Sequence, residues 1–305
     1  MGKFSIKDIE NITGIKAHNI RIWEQRYDLM VSKRTETNIR FYDDRDLCTF
    51  LNIANLTDNG FRISEIAKMS STEMHEKIGK LSEDHNNPCI QVNTLTEAML
   101  EFDQEKFNLT LNKCTERTGI IDVMSETVFP FLRKVGFMWQ TNLIAPAHEH
   151  FVTNLIKARL INSIESLADP EPVRAKRFLL FLPANETHEI GLCYAHYLIK
   201  LAGNRVLFLG QSVPYNDLKI TAEKFNPHYC LTSITAMQSE GSILGMVDEL
   251  LENLPFWPLI VSGPIISIME MPEKERLMTL KSIQELQIFL ENNSDNTLLN
   301  QKIAI

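Results

Sequence analysis

The run Phe178-Leu179-Leu180-Phe181-Leu182, followed closely by Glu186-Thr187-His188-Glu189-Ile190-Gly191, decides how this chain is read. Consecutive apolar residues bounded by turn formers read as a strand buried on both faces, and the pattern after Gly191 takes the period of a helix. His188 therefore falls on a strand-to-helix loop, the side of an open α/β sheet where ligands bind. Taken alone it reads as readily as a surface histidine among acidic neighbours. Its company along the chain decides between the two.

Strand patterns near residues 177–182, 205–209, 228–232, 259–262 and 277–280 alternate with helical ones near 189–202, 216–225, 242–254 and 283–291. That alternation predicts a five-stranded parallel sheet, a flavodoxin-like Rossmann domain over residues 171–305. Loops at the carboxyl ends of its first, third and fourth strands hold His188, Ser233-Ile234-Thr235 and Ser262-Gly263-Pro264. Upstream, residues 93–170 keep apolar periodicity with little Gly or Pro, and helices are drawn near 94–102, 104–118, 120–138 and 146–167. Asp103 is suited to cap the second and Pro146 to open the last, so a four-helix bundle is predicted. Residues 70–92 are polar and culminate in Asp84-His85-Asn86-Asn87-Pro88, which predicts a flexible linker over 76–92.

The first 75 residues have a different texture. Ser5-x-x-Asp8 is a capping box for a short helix, Thr13-Gly14 breaks it, and a second helix is predicted from about 16 to 27. This helix displays Lys16, His18, Asn19, Arg21, Arg26 and Tyr27, side chains suited to phosphates and base edges, while Ile22 and Trp23 are suited to face inward. Residues 33–42 read as a hairpin with a basic tip, carrying Arg34, Arg40 and Tyr42. Further helices follow from about 43 to 59 and from about 63. The chain is acidic overall, at −8. Residues 1–80 are balanced, with 13 Lys/Arg against 12 Asp/Glu, and the acid lies downstream. A local basic stripe on an acidic protein points to one small module that meets a polyanion.

This segment resembles the MerR-family winged helix-turn-helix, carried by Ile15, Arg21, Trp23, Glu24, Arg26, Tyr27, Arg34, Arg40, Tyr42, Asn59-Gly60-Phe61 and Ile66. The resemblance implies double-stranded promoter DNA as partner, with Arg34 and Arg40 as wing contacts to phosphate. No heptad run for a long dimerising helix follows. A helical bundle holding Trp139 and, nine residues on, Glu149-His150, ahead of an α/β domain whose first loop is E-x-H-x-x-G, resembles a second family. It is similar to the cobalamin-binding module of the light-responsive, adenosylcobalamin-dependent repressors of carotenoid genes.

That resemblance implies cobalamin as cofactor, adenosylcobalamin above all, with His188 as lower axial ligand to cobalt. It also implies that the bundle residues Trp139, Glu149 and His150 cap the adenosyl face. Glu186 stands where an aspartate is commoner and would orient His188 through its other ring N–H. Ser233, Thr235 and Gly263 would admit the cofactor's tail into a slot, and Gly191 would let the first helix pack closely. A homo-oligomer, dimer or tetramer, is implied as well. The chain departs from the family at Gln140, where photoreceptor relatives carry a histidine, and at Ser262, where a glycine pair is expected.

Composition sets the outer bounds. With 305 residues, 44% apolar and 23% charged, the chain is long enough for several ordinary globular domains. It shows no run of about 20 apolar residues and no leader, so a cytoplasmic, nucleoid-associated protein without membrane contact is expected. Cys48, Cys89, Cys114, Cys193 and Cys230 are scattered, which disfavours a zinc site or disulfide framework. The leading expectation is a cobalamin-controlled DNA-binding regulator that is not an enzyme. The alternatives are a cofactor-independent regulator on a degenerate scaffold and, third, a corrinoid carrier, against which the DNA-binding head and the lack of a substrate barrel both speak.

Overall fold

The computed structural model describes residues 2–27, 29–30, 32–34, 38–84, 87–170, 175–235 and 240–293. The tip of the predicted wing at 35–37, residues 85–86 of the predicted linker and the 171–174 stretch lie outside them. The chain divides into two compact units, Met1–Thr153 and Asn154–Ile305.

The first unit opens with α1 (Ile6–Thr13) and α2 (Ala17–Tyr27). The capping box forms as read, with the Ser5 hydroxyl accepting from the Asp8 amide and the Asp8 carboxylate accepting from the Ser5 amide. Gly14, at φ 78°, ends α1 in the left-handed region that glycine occupies without a Cβ clash. Strands β1 (Lys33–Arg34) and β2 (Arg40–Phe41) pair antiparallel as the wing's base. Then come α3 (Asp44–Asp58), α4 (Ile63–Ile66) and α5 (Ser71–Asp84). Phe4, Ile9, Ile20, Tyr42, Leu47 and Leu51 are fully buried and form the heart of this head.

The predicted flexible linker is corrected here. Residues 71–84 are helix α5, and α6 (Pro88–Glu101) starts six residues earlier than the pattern suggested. Asn87 accepts from the Cys89 amide as N-cap and Pro88 fills the first turn, where a missing N–H costs nothing. Next come α7 (Gln104–Asp122), a π-helical segment Val123–Val128, α8 (Phe129–Gln140) and α9 (Pro146–Glu165). Gly119, at φ 80° and ψ 167°, breaks the backbone within α7, so helical geometry does end near 118 as expected. Phe102, Phe107, Phe131, His148 and Phe151 make an aromatic layer among these helices, with Phe102 stacked on His148 at 4.4 Å.

In the second unit β3 (Arg177–Phe181), β4 (Arg205–Gly210), β5 (Tyr229–Ser233), β6 (Leu259–Ser262) and β7 (Leu277–Leu280) form a fully parallel sheet in the order β4-β3-β5-β6-β7. This is the flavodoxin-like order, with its switch point between β3 and β5. The helices α10 (Ile190–Leu201), α11 (Tyr215–Phe225), α12 (Glu240–Asn253), α13 (Pro264–Ile268) and α14 (Ile283–Asn293) flank it. Leu179, Phe181, Cys230, Leu259 and Val261 point to one face, where α11, α12 and α13 cover them. The alternate residues Phe178 and Tyr229 stack on the other face, where Phe289 of α14 closes on Tyr229. Phe178 through Leu182 are all at most 1% exposed, and burial of each such side chain contributes roughly 2 kcal/mol. Among the described residues no helix is long and apolar enough to cross a membrane.

Candidate functional site

The switch point places two loops side by side at the carboxyl edge of the sheet, one after β3 and one after β5. Glu186, only 4% exposed, joins them. Its Oε1 accepts from the amides of Thr187 and His188, both at 2.9 Å, and from His188 Nδ1 at 2.6 Å; its Oε2 accepts from the Thr235 amide at 2.8 Å. A carboxylate on Nδ1 holds the proton there and leaves the lone pair on Nε2. The His188 side chain is half exposed on this loop. Beside it Glu189 forms an ion pair with Lys157 of α9.

Gly191 and Ser233 face each other across this edge. A Cβ at position 191 would lie 3.5 Å from Ser233 Oγ, an ordinary contact, so the close helix packing expected to demand this glycine is not there. What Gly191 leaves is a small gap above Ser233. The tight approach is instead at Gly263, where φ is 118° and a Cβ would stand 2.3 Å from the carbonyl oxygen of Ile234 and 2.8 Å from its nitrogen. Gly263 thus lets the β5 loop cross the β6 loop. The donor set fits a corrinoid in offering an imidazole whose tautomer Glu186 imposes.

Trp139, in the last turn of α8, has 52% of its surface exposed. At the start of α9, Glu149 Oε2 and His150 Nδ1 are 3.0 Å apart, with His150 well exposed. His148 is held in the aromatic layer.

On the head, α2 presents His18, Arg21 and Arg26 to solvent, with Asn19 and Tyr27 half-buried. Lys16 is exposed and pairs with Glu10 at 3.2 Å. Arg34 donates to the Asn38 side chain at 2.7 Å within the wing. Two expectations are corrected. Ile22 is 41% exposed, and Ile20 is the residue that faces inward. Tyr42 is fully buried and its hydroxyl donates to Glu24 Oε1 at 2.9 Å, so it packs the wing's base and does not present a DNA contact; burial and the Glu24 carboxylate both push its pKa up. Glu24 also lies 3.9 Å from half-buried Arg40, tying the wing to α2, a role that sequence reading missed.

Residues 4–73 match the model of the MerR HTH family regulatory proteins, and residues 91–161 match that of the B12 binding domain. The chain joins a MerR helix-turn-helix head to a B12-binding domain. Over 267 residues it is 29% identical to the HTH-type transcriptional repressor CarH of Myxococcus xanthus, covering 83% of this chain and 87% of that protein. Over 260 residues it is 24% identical to the repressor CarA of the same organism, covering 85% of each. The HTH-type transcriptional regulator MlrA of Escherichia coli is 27% identical over 73 residues, 24% of this chain and 30% of that protein. Among solved structures, the Methanosarcina barkeri monomethylamine corrinoid protein aligns at TM-score 0.45 and 13% identity, covering 64% of this chain and 95% of that one.

Proposed function

We propose that this protein is a transcriptional regulator whose grip on promoter DNA is set by bound cobalamin, with adenosylcobalamin as the form it takes up. The observation that carries this reading is the buried Glu186, which orients His188 and anchors the Thr235 loop at the switch point of a sheet, in a chain that also carries a MerR head. When bound, the cofactor would supply a cobalt centre and a light-labile alkyl group. His188 Nε2, with Nδ1 engaged by Glu186, would hold the cobalt. Gly191, Ser233 and Thr235 border the space for the tail, with Gly263 setting how closely their loops approach. Trp139, Glu149 and His150 would face its adenosyl group. His18, Asn19, Arg21, Arg26 and Tyr27 meet the duplex, with Lys16, Arg34 and Arg40 toward phosphates. A ligand shifts assembly or DNA affinity only through unequal affinity for the states involved, so cofactor loading and promoter binding must be linked.

Reconstitution with adenosylcobalamin in the dark is expected to give a cobalamin absorption spectrum that His188→Ala weakens or abolishes. DNA binding by gel shift, with and without cofactor and before and after illumination, tests the linkage, and light scattering on the same samples gives the oligomer. An unaltered spectrum in His188→Ala overturns the ligation. A second reading, a cofactor-independent regulator, draws on Ser262 and on a Gly263 already used by the Ile234 crossing. Promoter binding indifferent to adenosylcobalamin supports it.

A further inference from the structure

Helix α3 belongs to the MerR match, yet it is not packed like the outer helix of a free-standing head. Every residue from Phe50 to Leu56 is buried, including Asn52 at 5% and Asn55 at 2% exposure. An amphipathic surface helix keeps a polar face in water. Here that face is covered by α5 and α6, and α6 lies largely within the B12-binding match. The polar groups caught between them are paired. Asn52 Nδ2 donates to Glu97 Oε1 at 3.3 Å, and Asn93 Nδ2 donates to Asn55 Oδ1 at 2.7 Å. Glu97, 3% exposed, also takes His75 Nε2 of α5 at 2.9 Å and Lys106 Nζ of α7 at 2.8 Å.

Asn93 has a second partner. Lys134 Nζ donates to its Oδ1 at 2.8 Å, and Lys134 lies on α8, the helix that ends at Trp139-Gln140. One amide thus touches the head through its nitrogen and α8 through its oxygen. Buried polar pairs add little net stability compared with apolar packing, but they penalise every misaligned arrangement, so they fix orientation.

We propose that this seam, Asn52–Glu97 together with Asn55–Asn93–Lys134, is a docking interface that holds the MerR head on the helical bundle in one orientation and transmits shifts of α8 to the DNA-reading surface. The proposal rests on the cobalamin-controlled reading for its second half only. The head is docked rather than tethered, and Asn93 and Lys134 act as positioning residues for promoter binding. Coupling of this kind requires a contiguous element that both sites bias, and α8–α6–α3 supplies one.

The test uses full-length protein and three readouts: amide hydrogen exchange of α3 and α6, cofactor loading by absorption, and promoter affinity with and without adenosylcobalamin. In the wild type α3 is expected to exchange as slowly as the strands of the sheet. Asn93→Leu is expected to speed α3 exchange at least about tenfold, to leave the loading spectrum as it was, and to shrink the cofactor-dependent ratio of promoter affinities at least about fivefold. Lys134→Met cuts the relay at α8 with Asn55–Asn93 intact; it is expected to shrink the ratio without loosening α3, and it carries the test if Asn93→Leu does not fold. Fast α3 exchange in the wild type overturns the docking. An unchanged affinity ratio in both variants overturns the transmission. Wild type that takes up no cofactor fails the cobalamin reading itself, a different result, and the transmission half falls with it while exchange still decides the docking.

Discussion

Two buried glutamates organise this molecule, and they are built differently. Glu186 takes its hydrogen bonds from backbone amides, from the ring of His188 two residues along and from Thr235 on the neighbouring strand's loop. Glu97 takes its own from the side chains of Asn52, His75 and Lys106, which come from three separate helices. The first orients an imidazole ring at the rim of a sheet. The second joins two segments of chain that separate family models match. A carboxylate held by amides is tied to its loop's conformation, whereas one held by distant side chains depends on tertiary packing, so the two should respond differently to substitution.

The largest expected effect is at Glu97. Glu97→Ala strands a buried amide and a largely covered ammonium, and it should cost about 3–5 kcal/mol, read as a lower unfolding midpoint of the first unit while the second keeps its own. Equal destabilisation of both units would break the comparison. Lys134 comes next. Burial lowers its pKa from the usual 10.5 to about 8, so the unfolded chain holds a proton that the folded chain releases between those values. Stability therefore rises with pH across that window, and about 3 kcal/mol separates its ends. Lys134→Met should lose this slope in denaturant titrations; a slope equal to wild type would show that the lysine is solvated.

Glu186→Gln replaces one acceptor oxygen by an N–H donor that faces donors already in place. About 1–3 kcal/mol of local stability is expected to go, and cobalamin affinity should fall about 10–100-fold as the imidazole loses its fixed tautomer. Unchanged affinity by spectroscopic titration would mean that the ring is oriented by other contacts. The smallest effect is Gly191→Ala. Its methyl group meets only Ser233 Oγ at an ordinary distance, and alanine favours the helix by under about 1 kcal/mol, so the melting temperature should hold or rise. Cofactor uptake should fall even so, since the gap above Ser233 is filled.

The same contrast explains what could be read from the sequence. Strand β6 coincides with its apolar run, because burial on both faces writes itself as uninterrupted hydrophobicity. The Glu186–His188 pairing is separated by two positions and sits in a motif. The seam was invisible for the opposite reason. Asn52, Asn55, His75, Asn93 and Glu97 are polar residues spread over 45 positions, and His75, on polar α5, reads as part of a solvated linker until its partners are seen. Tyr42 misled through its chemistry, since a phenol in a basic wing suits phosphate as well as it suits a buried carboxylate. A glycine such as Gly263 signals close approach at a loop without saying whether ligand or backbone approaches.

One consequence of the β3 loop concerns the time course of loading. Glu186 sets the imidazole and the Thr235 loop through bonds wholly internal to the protein, so the entropy of arranging the lower ligand is spent during folding. With His188 as the cobalt ligand proposed above, capture would need no reordering of the Glu186–His188 pair, so its association rate should be that of encounter with a preformed ligand, varying little with viscogens that slow segmental motion and with the affinity differences among corrinoids expressed in their rates of escape.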